Sequence, residues 1–354
     1  MTAAKNLRGR LHEAGFYAQA RPLQPISEFL GKVYPQTLVA RISKKLAHYE
    51  SRTKRWVSPA SVATFLSQFP VDLQEAALEW LQHLDWVDPS PGIRRVLNSV
   101  FSDQRFAEAR RVALCPLGAT SDSANRIAYD LRDVGAAHPN RFISLLPLTE
   151  ALGRRLDAYI FYDDNTNTGH QALNIMASWL DRHLPNEYAL KEEHVQPLDR
   201  GMREELLSKP AAFIFAVGTE QSRKNVTELL ATHAGLAPER LTCLMDKVLC
   251  DAARVFSGAE SPFQHRDKLK VREFLRDVAI QIFVAEGQDP DKAARRSLGD
   301  GQAEAMVVFP YNCPTMTIPA LWLKGRRGEN EWLPLVERAR RLHPETGEPI
   351  GEDA

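Results

Sequence analysis

Two adjacent acids, Asp163 and Asp164, end an apolar run within residues 158–171, AYIFYDDNTNTGHQ. Thr168 and Gly169 follow, and a helical pattern with an apolar inner side begins behind them. Two acids at a strand end can accept hydrogen bonds from a vicinal diol, directly or through a Mg²⁺ ion. A small polar loop before a helix offers backbone N–H groups and the positive end of the helix dipole to a phosphate. The segment therefore predicts a site that holds a sugar phosphate at both ends.

Two other loops also follow apolar runs. The loop at residues 117–123, LGATSDS, is small and polar, so that its backbone can approach an anion. The second loop follows the apolar run at residues 211–217. A plain turn between a strand and a helix explains each loop equally well. The candidate ligand-binding residues in and after these loops are Gly118, Ala119, Thr120, Ser121, Asp122, Arg126, Gly218 and Thr219.

Residues 158–171 resemble the type I phosphoribosyltransferase superfamily, whose fingerprint is two apolar residues, two acids, three variable residues and then Thr-Gly. The resemblance implies that the chain binds phosphoribosyl pyrophosphate (PRPP). It implies that Asp163 and Asp164 are the catalytic residues, which contact the ribose 2′ and 3′ hydroxyls and the Mg²⁺ that arrives with PRPP or a nucleotide. The loop that would bind the 5′-phosphate consists of Thr166, Asn167, Thr168, Gly169 and His170.

Two positions depart from the superfamily pattern. His170 and Gln171 stand where small residues are usual, which predicts an altered phosphate pocket. His170 could add a proton-dependent charge to that pocket, or it could be a surface residue of the helix. The loop at residues 117–123 stands where the superfamily has its pyrophosphate loop.

The wider chain, from about residue 40 to 340, resembles the phosphoribosyltransferase-like (PRTase-CE type) proteins of bacterial anti-phage conflict systems, some of which accompany retrons. The resemblance implies a toxic effector, with a reverse transcriptase–RNA/DNA complex or other defence proteins as partners. Its tail, PYNCPTMTIPALW, contains Asn312 and Thr315, which could bind a base or nucleotide while an aromatic ring stacks on it. A structural turn with a core tryptophan explains the same residues.

The first hundred residues are dominated by helical patterns. Ser58 and Pro59 are typical of a helix N-cap and first position, and further patterns cover residues 73–84 and 93–106. Three short helices with a tight break are typical of a winged-helix module. We therefore expect residues 1–105 to form an all-α, winged-helix-like domain.

From about Arg111 onward, short apolar runs alternate with helical patterns. This alternation predicts an α/β fold with a parallel sheet, which binds ligands at the carboxyl ends of its strands. We expect residues 106–354 to form a phosphoribosyltransferase-like domain. Residues 241–294 are predicted to be a helical hood over the sheet edge, and residues 306–309 a late strand.

The composition narrows the class of protein. The chain has 354 residues, of which 44% are apolar, with 45 basic and 45 acidic side chains, as in ordinary globular proteins. It contains no apolar run of about 20 residues and no apolar signal-type start, which predicts a cytoplasmic protein without a membrane partner. The four cysteines form no CxxC pair, and HExxH, GxxxxGK[ST] and GxSxG motifs are missing from the sequence. A zinc hydrolase, a P-loop NTPase and a serine hydrolase are therefore not indicated.

Charge is unevenly distributed along the chain. Residues 1–60 contain eleven Lys or Arg and three Asp or Glu, which suits either a nucleic-acid partner or a solvated helical face. This basic front supports an alternative function, a non-catalytic PRPP-sensing DNA-binding regulator that resembles the purine repressor of Gram-positive bacteria. The helical pattern at residues 73–84 opposes it, because it lacks the Lys and Arg that a DNA-reading helix needs. The sequence is compatible with a homo-oligomer and does not specify the oligomeric state.

Overall fold

The computed structural model describes residues 35–49, 57–118, 123–189 and 196–338. These residues form two compact units. The first unit combines the described parts of Met1–Val87 and Ala252–Asp353, and the second unit is Asp88–Asp251. This division does not coincide with the predicted boundary between residues 105 and 106, which lies inside the second unit.

In chain order, the α-helices of the described residues are α1 Pro35–Lys45, α2 Pro59–Leu66, α3 Gln74–Leu81, α4 Pro89–Ser102, α5 Gln104–Ala107, α6 Ser123–Leu131, α7 Leu148–Ala151, α8 His170–Trp179, α9 Arg200–Ser208, α10 Glu220–Leu229, α11 Lys268–Ala285 and α12 Pro290–Arg296. The strands are β1 Asp85–Trp86, β2 Arg111–Pro116, β3 Phe142–Leu145, β4 Ala158–Thr166, β5 Ala211–Thr219, β6 Leu241–Leu249, β7 Val307–Val308, β8 Gly325–Arg327 and β9 Asn330–Trp332. No helix among the described residues is long and apolar enough to cross a membrane.

The second unit is built on a five-stranded sheet in the order β3-β2-β4-β5-β6, with every pair parallel. The central strands β4 and β5 are almost entirely buried, as expected for parallel strands covered on both faces. The predicted α/β fold with a parallel sheet is confirmed. The carboxyl ends of β4 and β5 lie side by side, because Thr166 pairs with Gly218.

Helices cover both faces of this sheet. On one face, Phe161 stacks on Phe213 with ring centroids 5.0 Å apart, and α8 buries Leu173 and Met176 in the same core. The other face packs against α4, whose Gly92 approaches so closely that a Cβ there would lie 3.4 Å from that of Ala216. This packing fixes the strand ends relative to the helices that begin beside them.

The first unit has a largely helical core. Phe69, after α2, packs on Phe274 of α11 and on Trp332 of β9, with ring centroids 4.8 and 5.8 Å apart. Next to these helices, β1 and β7 form a short parallel pair, in which Asp85 is opposite Val307. The late strand predicted at residues 306–309 is therefore present, as the two residues of β7 in this small sheet.

The winged-helix-like module is not confirmed. Ser58 caps α2 and Pro59 starts it, as predicted, but α2 and α3 belong to the first unit whereas α4 packs on the sheet of the second. Among described residues 57–102, no antiparallel hairpin follows the helices, and β1 pairs in parallel with β7. The periodicity identified the helices, but an apolar face does not specify the element on which it packs.

The helical hood predicted at residues 241–294 needs one correction. Its first nine residues are β6, the last strand of the sheet, and α11 and α12 follow in the first unit. The run LTCLMDKVL has only nine residues, and periodicity does not separate a strand from a helix in so short a run. In the structure its last six residues are half-buried.

Candidate functional site

The two acids lie within β4 rather than after it, because the strand continues to Thr166. Asp163 is 4% exposed and Asp164 is 1% exposed. Asp163 Oδ1 accepts a hydrogen bond from the Asp164 backbone N–H at 2.8 Å, and Asp164 Oδ1 accepts one from Asn165 Nδ2 at 2.6 Å. Buried carboxyl groups are costly unless they are hydrogen-bonded, and these bonds lower the cost of burying the two acids. Adjacent residues of a strand face opposite sides, which makes the two acids non-equivalent.

The loop after β4 leads directly into α8. Gly169 is the N-cap of α8, has a φ of +82° and makes no side-chain cap hydrogen bond. The first N–H groups of a helix have no partner within the helix, and they form the positive end of its dipole. The start of α8 therefore has the geometry that binds an anion at a helix N-terminus.

Three side chains at the start of α10 hold the backbone of this loop. The Ser222 hydroxyl is shared between the Thr219 carbonyl at 2.9 Å and the Thr166 carbonyl at 3.1 Å, and Thr219 Oγ1 donates to the Asn167 carbonyl at 2.7 Å. Asn225 Nδ2 donates to the Thr168 carbonyl at 3.0 Å. The conformation of the loop is thus tied to the adjacent strand–helix junction of β5 and α10.

Gly169 also packs tightly against α10. A Cβ at this position would lie 3.1 Å from Val226 Cγ2 and 3.2 Å from the Val226 backbone nitrogen. With φ at +82°, the position requires glycine both for its conformation and for the close approach of the two backbones.

The ends of β2 and β5 reach the same edge of the sheet. After β2, the Leu117 N–H donates to the Tyr162 carbonyl at 3.0 Å, and Gly118 has a φ of +116°, which favours glycine. At the end of β5, Gly218 lies against Met245, and Thr219 caps α10. The candidate residues Ala119, Thr120, Ser121 and Asp122 lie outside the described residues, and so does the side chain of Arg126.

A comparison with protein families shows which family the chain belongs to. The family model described as PRTase-CE matches residues 62–338. The chain belongs to the PRTase-CE family. The match includes all of the second unit and most of the described residues of the first. Comparisons with curated proteins and with solved structures gave no match.

In this PRTase-CE protein, His170 begins a row of rings beside the loop. Its ring lies edge-on to Tyr188 with centroids 5.4 Å apart, and Tyr188 lies 5.0 Å from His233. Buried Asn174 ties the row to α8, since its Nδ2 donates to the carbonyls of His170 and Tyr188, each at 2.7 Å. The histidine that replaces a small residue in the superfamily pattern is therefore accommodated by packing against Tyr188.

Asn312 and Thr315 lie in the first unit, where their backbones form turns. The Asn312 carbonyl accepts from the Phe309 N–H, and the Thr315 carbonyl accepts from the Asp300 N–H, both at 2.9 Å. Asn312 Oδ1 is buried without a hydrogen-bond partner among the described residues. Trp322 is 3% exposed and its indole N–H donates to the Thr317 carbonyl, so this tryptophan belongs to the core.

Sequence reasoning missed Tyr162, Ser222 and Asn225. Tyr162 is fully buried, and its hydroxyl has no partner within the described part of the chain. Burial raises the pKa of Tyr162, with smaller contributions from Cys115 and Asp163, so the phenol stays protonated near neutral pH. The Thr-x-x-Ser spacing at residues 219–222 indicates a helix cap, but no sequence signal shows that its hydroxyls reach another loop.

The described residues contain no group of three or more His, Cys, Asp or Glu side chains able to hold a metal ion. Asp163 and Asp164 supply two carboxyl groups of the hard-oxygen type that Mg²⁺ prefers. Protein-bound Mg²⁺ often takes one or two carboxylates, with substrate phosphates and water as the other ligands. Because the two acids lie within β4 and face opposite sides of the strand, the residues present fit a Mg²⁺ ion held by one of them together with a phosphorylated ligand and water.

Proposed function

We propose that this PRTase-CE protein binds a 5-phosphorylated ribose ligand, PRPP or a nucleotide, together with Mg²⁺. We propose further that it catalyses a substitution at the anomeric carbon of that ligand. One observation carries the proposal. Two buried acids, Asp163 and Asp164, precede a helix start whose N-cap is Gly169, with a short loop between them. A diol and a phosphate are the two ligand groups that these features recognise.

Each part of the site has a role in this proposal. Asp163 and Asp164 accept hydrogen bonds from the ribose hydroxyls, and one of the two carboxylates holds the Mg²⁺, which would neutralise negative charge on the pyrophosphate. The backbone of Thr166–Thr168 with Gly169 and His170 binds the 5′-phosphate. Gly118 and the four residues after it, with Arg126, bind the pyrophosphate. The roles of Gly218, Thr219, Asn312 and Thr315 as ligand contacts remain predictions.

The reaction that fits this site is a substitution at the anomeric carbon. The bond from that carbon to the pyrophosphate oxygen, or to a nucleobase, breaks and its electron pair leaves with that group. An acceptor or water forms the new bond and loses its proton. Because the transition state is an oxocarbenium-like cation next to an anionic leaving group, positioning and charge complementarity supply the catalysis without a covalent nucleophile.

Calorimetric titration of PRPP with Mg²⁺ into the full-length protein tests the proposal. We expect micromolar binding by the natural chain and at least a 30-fold loss in the Asp163→Asn, Asp164→Asn double variant, which keeps the side-chain shapes but removes both charges. A thermal unfolding curve for each protein checks that the variant is folded. Equal affinity of the two proteins, or no binding to the natural chain, would overturn the proposal.

The biological part of the proposal is a cytoplasmic anti-phage effector that depletes or modifies a nucleotide, and it rests on the family resemblance. Phage plating on cells that express the protein with its neighbouring genes tests this role. We expect protection by the natural chain and none by the Asp163→Asn, Asp164→Asn variant. PRPP binding without turnover, together with tight sequence-selective DNA binding, would support the PRPP-sensing regulator with a winged-helix domain instead.

A further inference from the structure

The hydrogen bonds between α10 and the loop after β4 follow a regular pattern. Three successive carbonyls, those of Thr166, Asn167 and Thr168, accept from three side chains of one helix start. The donors are Ser222, Thr219 and Asn225, so the whole loop is held from one side. Ser222 is fully buried and Thr219 is 7% exposed, which shields these bonds from water.

The two hydroxyls serve the helix and the loop at once. Thr219 Oγ1 accepts from the Ser222 N–H at 3.0 Å, and Ser222 Oγ accepts from the Thr219 N–H at 2.9 Å, which is a reciprocal capping box. A capping hydroxyl uses its oxygen as the acceptor and keeps its own hydrogen for another partner. In Thr219 that hydrogen goes to the Asn167 carbonyl. In Ser222 the hydrogen is shared between the Thr219 carbonyl at 2.9 Å and the Thr166 carbonyl at 3.1 Å, so the start of α10 is capped by its own residues and still donates to the loop.

The third donor is oriented by its neighbour on α10. Gln221 Nε2 donates to Asn225 Oδ1 at 2.6 Å, so the Asn225 amide presents its nitrogen to the Thr168 carbonyl. Directly beside it, Gly169 leaves no room for a side chain between the loop and Val226. The loop and the helix are thus in direct contact along their length.

Carbonyl direction determines N–H direction in a chain of trans peptides. Within each peptide plane the C=O and the following N–H point in opposite directions, and the described residues contain no cis peptide bond. Three carbonyls aimed at α10 therefore aim the N–H groups of Asn167, Thr168 and Gly169 away from α10. The next N–H group, that of His170, donates to Thr168 Oγ1 at 3.4 Å, so the series ends at Gly169.

We propose that Thr219, Ser222 and Asn225 are positioning residues: by holding the carbonyls of Thr166–Thr168 they pre-orient the loop N–H groups for a phosphate. This inference rests on the proposed ribose-phosphate site. It gives Thr219 a role different from direct ligand contact, since its hydroxyl is occupied by the loop. Pre-orientation raises affinity because the donors are ordered before the ligand binds.

The test compares full-length variants in calorimetric titration with PRPP and Mg²⁺. We expect Thr219→Val, which removes the hydroxyl and keeps the branched shape, to weaken PRPP binding about tenfold. Asn225→Ala should weaken it by a similar factor, and Thr219→Ser should restore most of the affinity. Thr227→Val is the matched control, because Thr227 is on the same helix but its hydroxyl donates to the Lys224 carbonyl.

A second measurement needs no ligand. Hydrogen exchange followed by mass spectrometry should show faster exchange in the peptide that covers residues 163–172 of Thr219→Val, with the Thr227→Val protein unchanged. Unchanged exchange, or PRPP affinity equal to that of the natural chain, overturns the positioning role while leaving the ribose-phosphate site in place. If the natural chain does not bind PRPP, the proposed ribose-phosphate site and the positioning role are both wrong.

Discussion

The second unit contains the same strand–turn–helix arrangement twice, side by side, with opposite treatment of the helix start. β5 leads into α10, where Thr219 and Ser222 form a reciprocal capping box. β4 leads into α8, where Gly169 adopts a left-handed conformation and makes no side-chain cap hydrogen bond. One helix start has a reciprocal side-chain cap, whereas the other has a glycine N-cap and a longer contact of 3.4 Å from the His170 N–H to Thr168 Oγ1.

The strands that precede these helices differ in the same way. In the register of the sheet, Asp163 is paired with Phe215 and Asn165 with Val217. The end of β5 is therefore apolar where the end of β4 is polar, although both are buried. Because burial of polar groups costs free energy, the polar end of β4 is the feature that the proposed ligand site explains and that β5 lacks.

The largest effect should come from Gly169→Ala. The new Cβ would combine a left-handed φ with contacts to Val226 at 3.1 and 3.2 Å, and we expect a loss of about 2–3 kcal/mol in the free energy of unfolding. PRPP affinity should fall more than tenfold in calorimetry. Gly153→Ala is the matched control, because Gly153 has the same φ of +82° with nothing within 4 Å, and it should cost about 1 kcal/mol and leave PRPP binding unchanged.

A smaller effect is expected for Asn174→Leu. This change removes the amide that donates to both the His170 and the Tyr188 carbonyls, and we expect a loss of about 2 kcal/mol in denaturant unfolding. PRPP affinity should change less than threefold, since the phosphate donors lie before this residue. A larger loss of affinity would show that the row of rings at His170 takes part in binding.

The N-cap of α9 shows how much the loss of a helix cap alone changes stability and binding. Asp199 caps α9 by accepting from the Met202 N–H at 2.8 Å, and Asp199→Ala should lower the free energy of unfolding by about 1 kcal/mol. PRPP affinity should be unaltered. If this change weakened binding as strongly as Thr219→Val, loss of a helix cap alone would account for both results.

The smallest effect concerns His138 and the dependence of the free energy of unfolding on pH. Burial lowers the pKa of His138 below its ordinary value of 6.5, Arg141 lowers it further, and the ring lies against Phe101. The unfolded chain therefore binds a proton more readily, so His138 contributes stability that is present above pH 6.5 and is lost as the pH falls through the lowered pKa. His138→Phe should make the unfolding free energy decline less between pH 7 and pH 5. An identical decline in both proteins would contradict this assignment.

Local pattern was sufficient to predict β4, the loop and α8. An apolar run, two acids and Thr-Gly before a helical periodicity are all short-range signals; the strand and helix are both present, and the strand continues two residues beyond the acids to Thr166. The contribution of Ser222 and Asn225 was not predictable, because their contacts with Thr166 and Thr168 span 56 and 57 residues. Single-sequence patterns carry no information about such distant pairs.

At the front of the chain, sequence patterns predicted helices but not how those helices pack. The patterns located α2, α3 and α4 to within about four residues and gave no separate prediction of α1, and the winged-helix interpretation assumed that neighbours in sequence pack together. In the structure, α3 packs with α11 in the first unit, and α4 packs on the sheet of the second. Helical periodicity predicts the existence of an element better than it predicts its neighbours.

The discontinuous first unit has a consequence for synthesis on the ribosome. Its early helices depend on late residues: Tyr49 donates to the Glu337 carbonyl, 288 positions away, and Gln68 donates to the Leu333 carbonyl, 265 positions away. The residues Asp88–Asp251 instead have all their strand partners among themselves. As the nascent chain emerges, the inserted sheet can therefore fold first, whereas the helices made before it can complete their packing only after residues 333–337 have been translated.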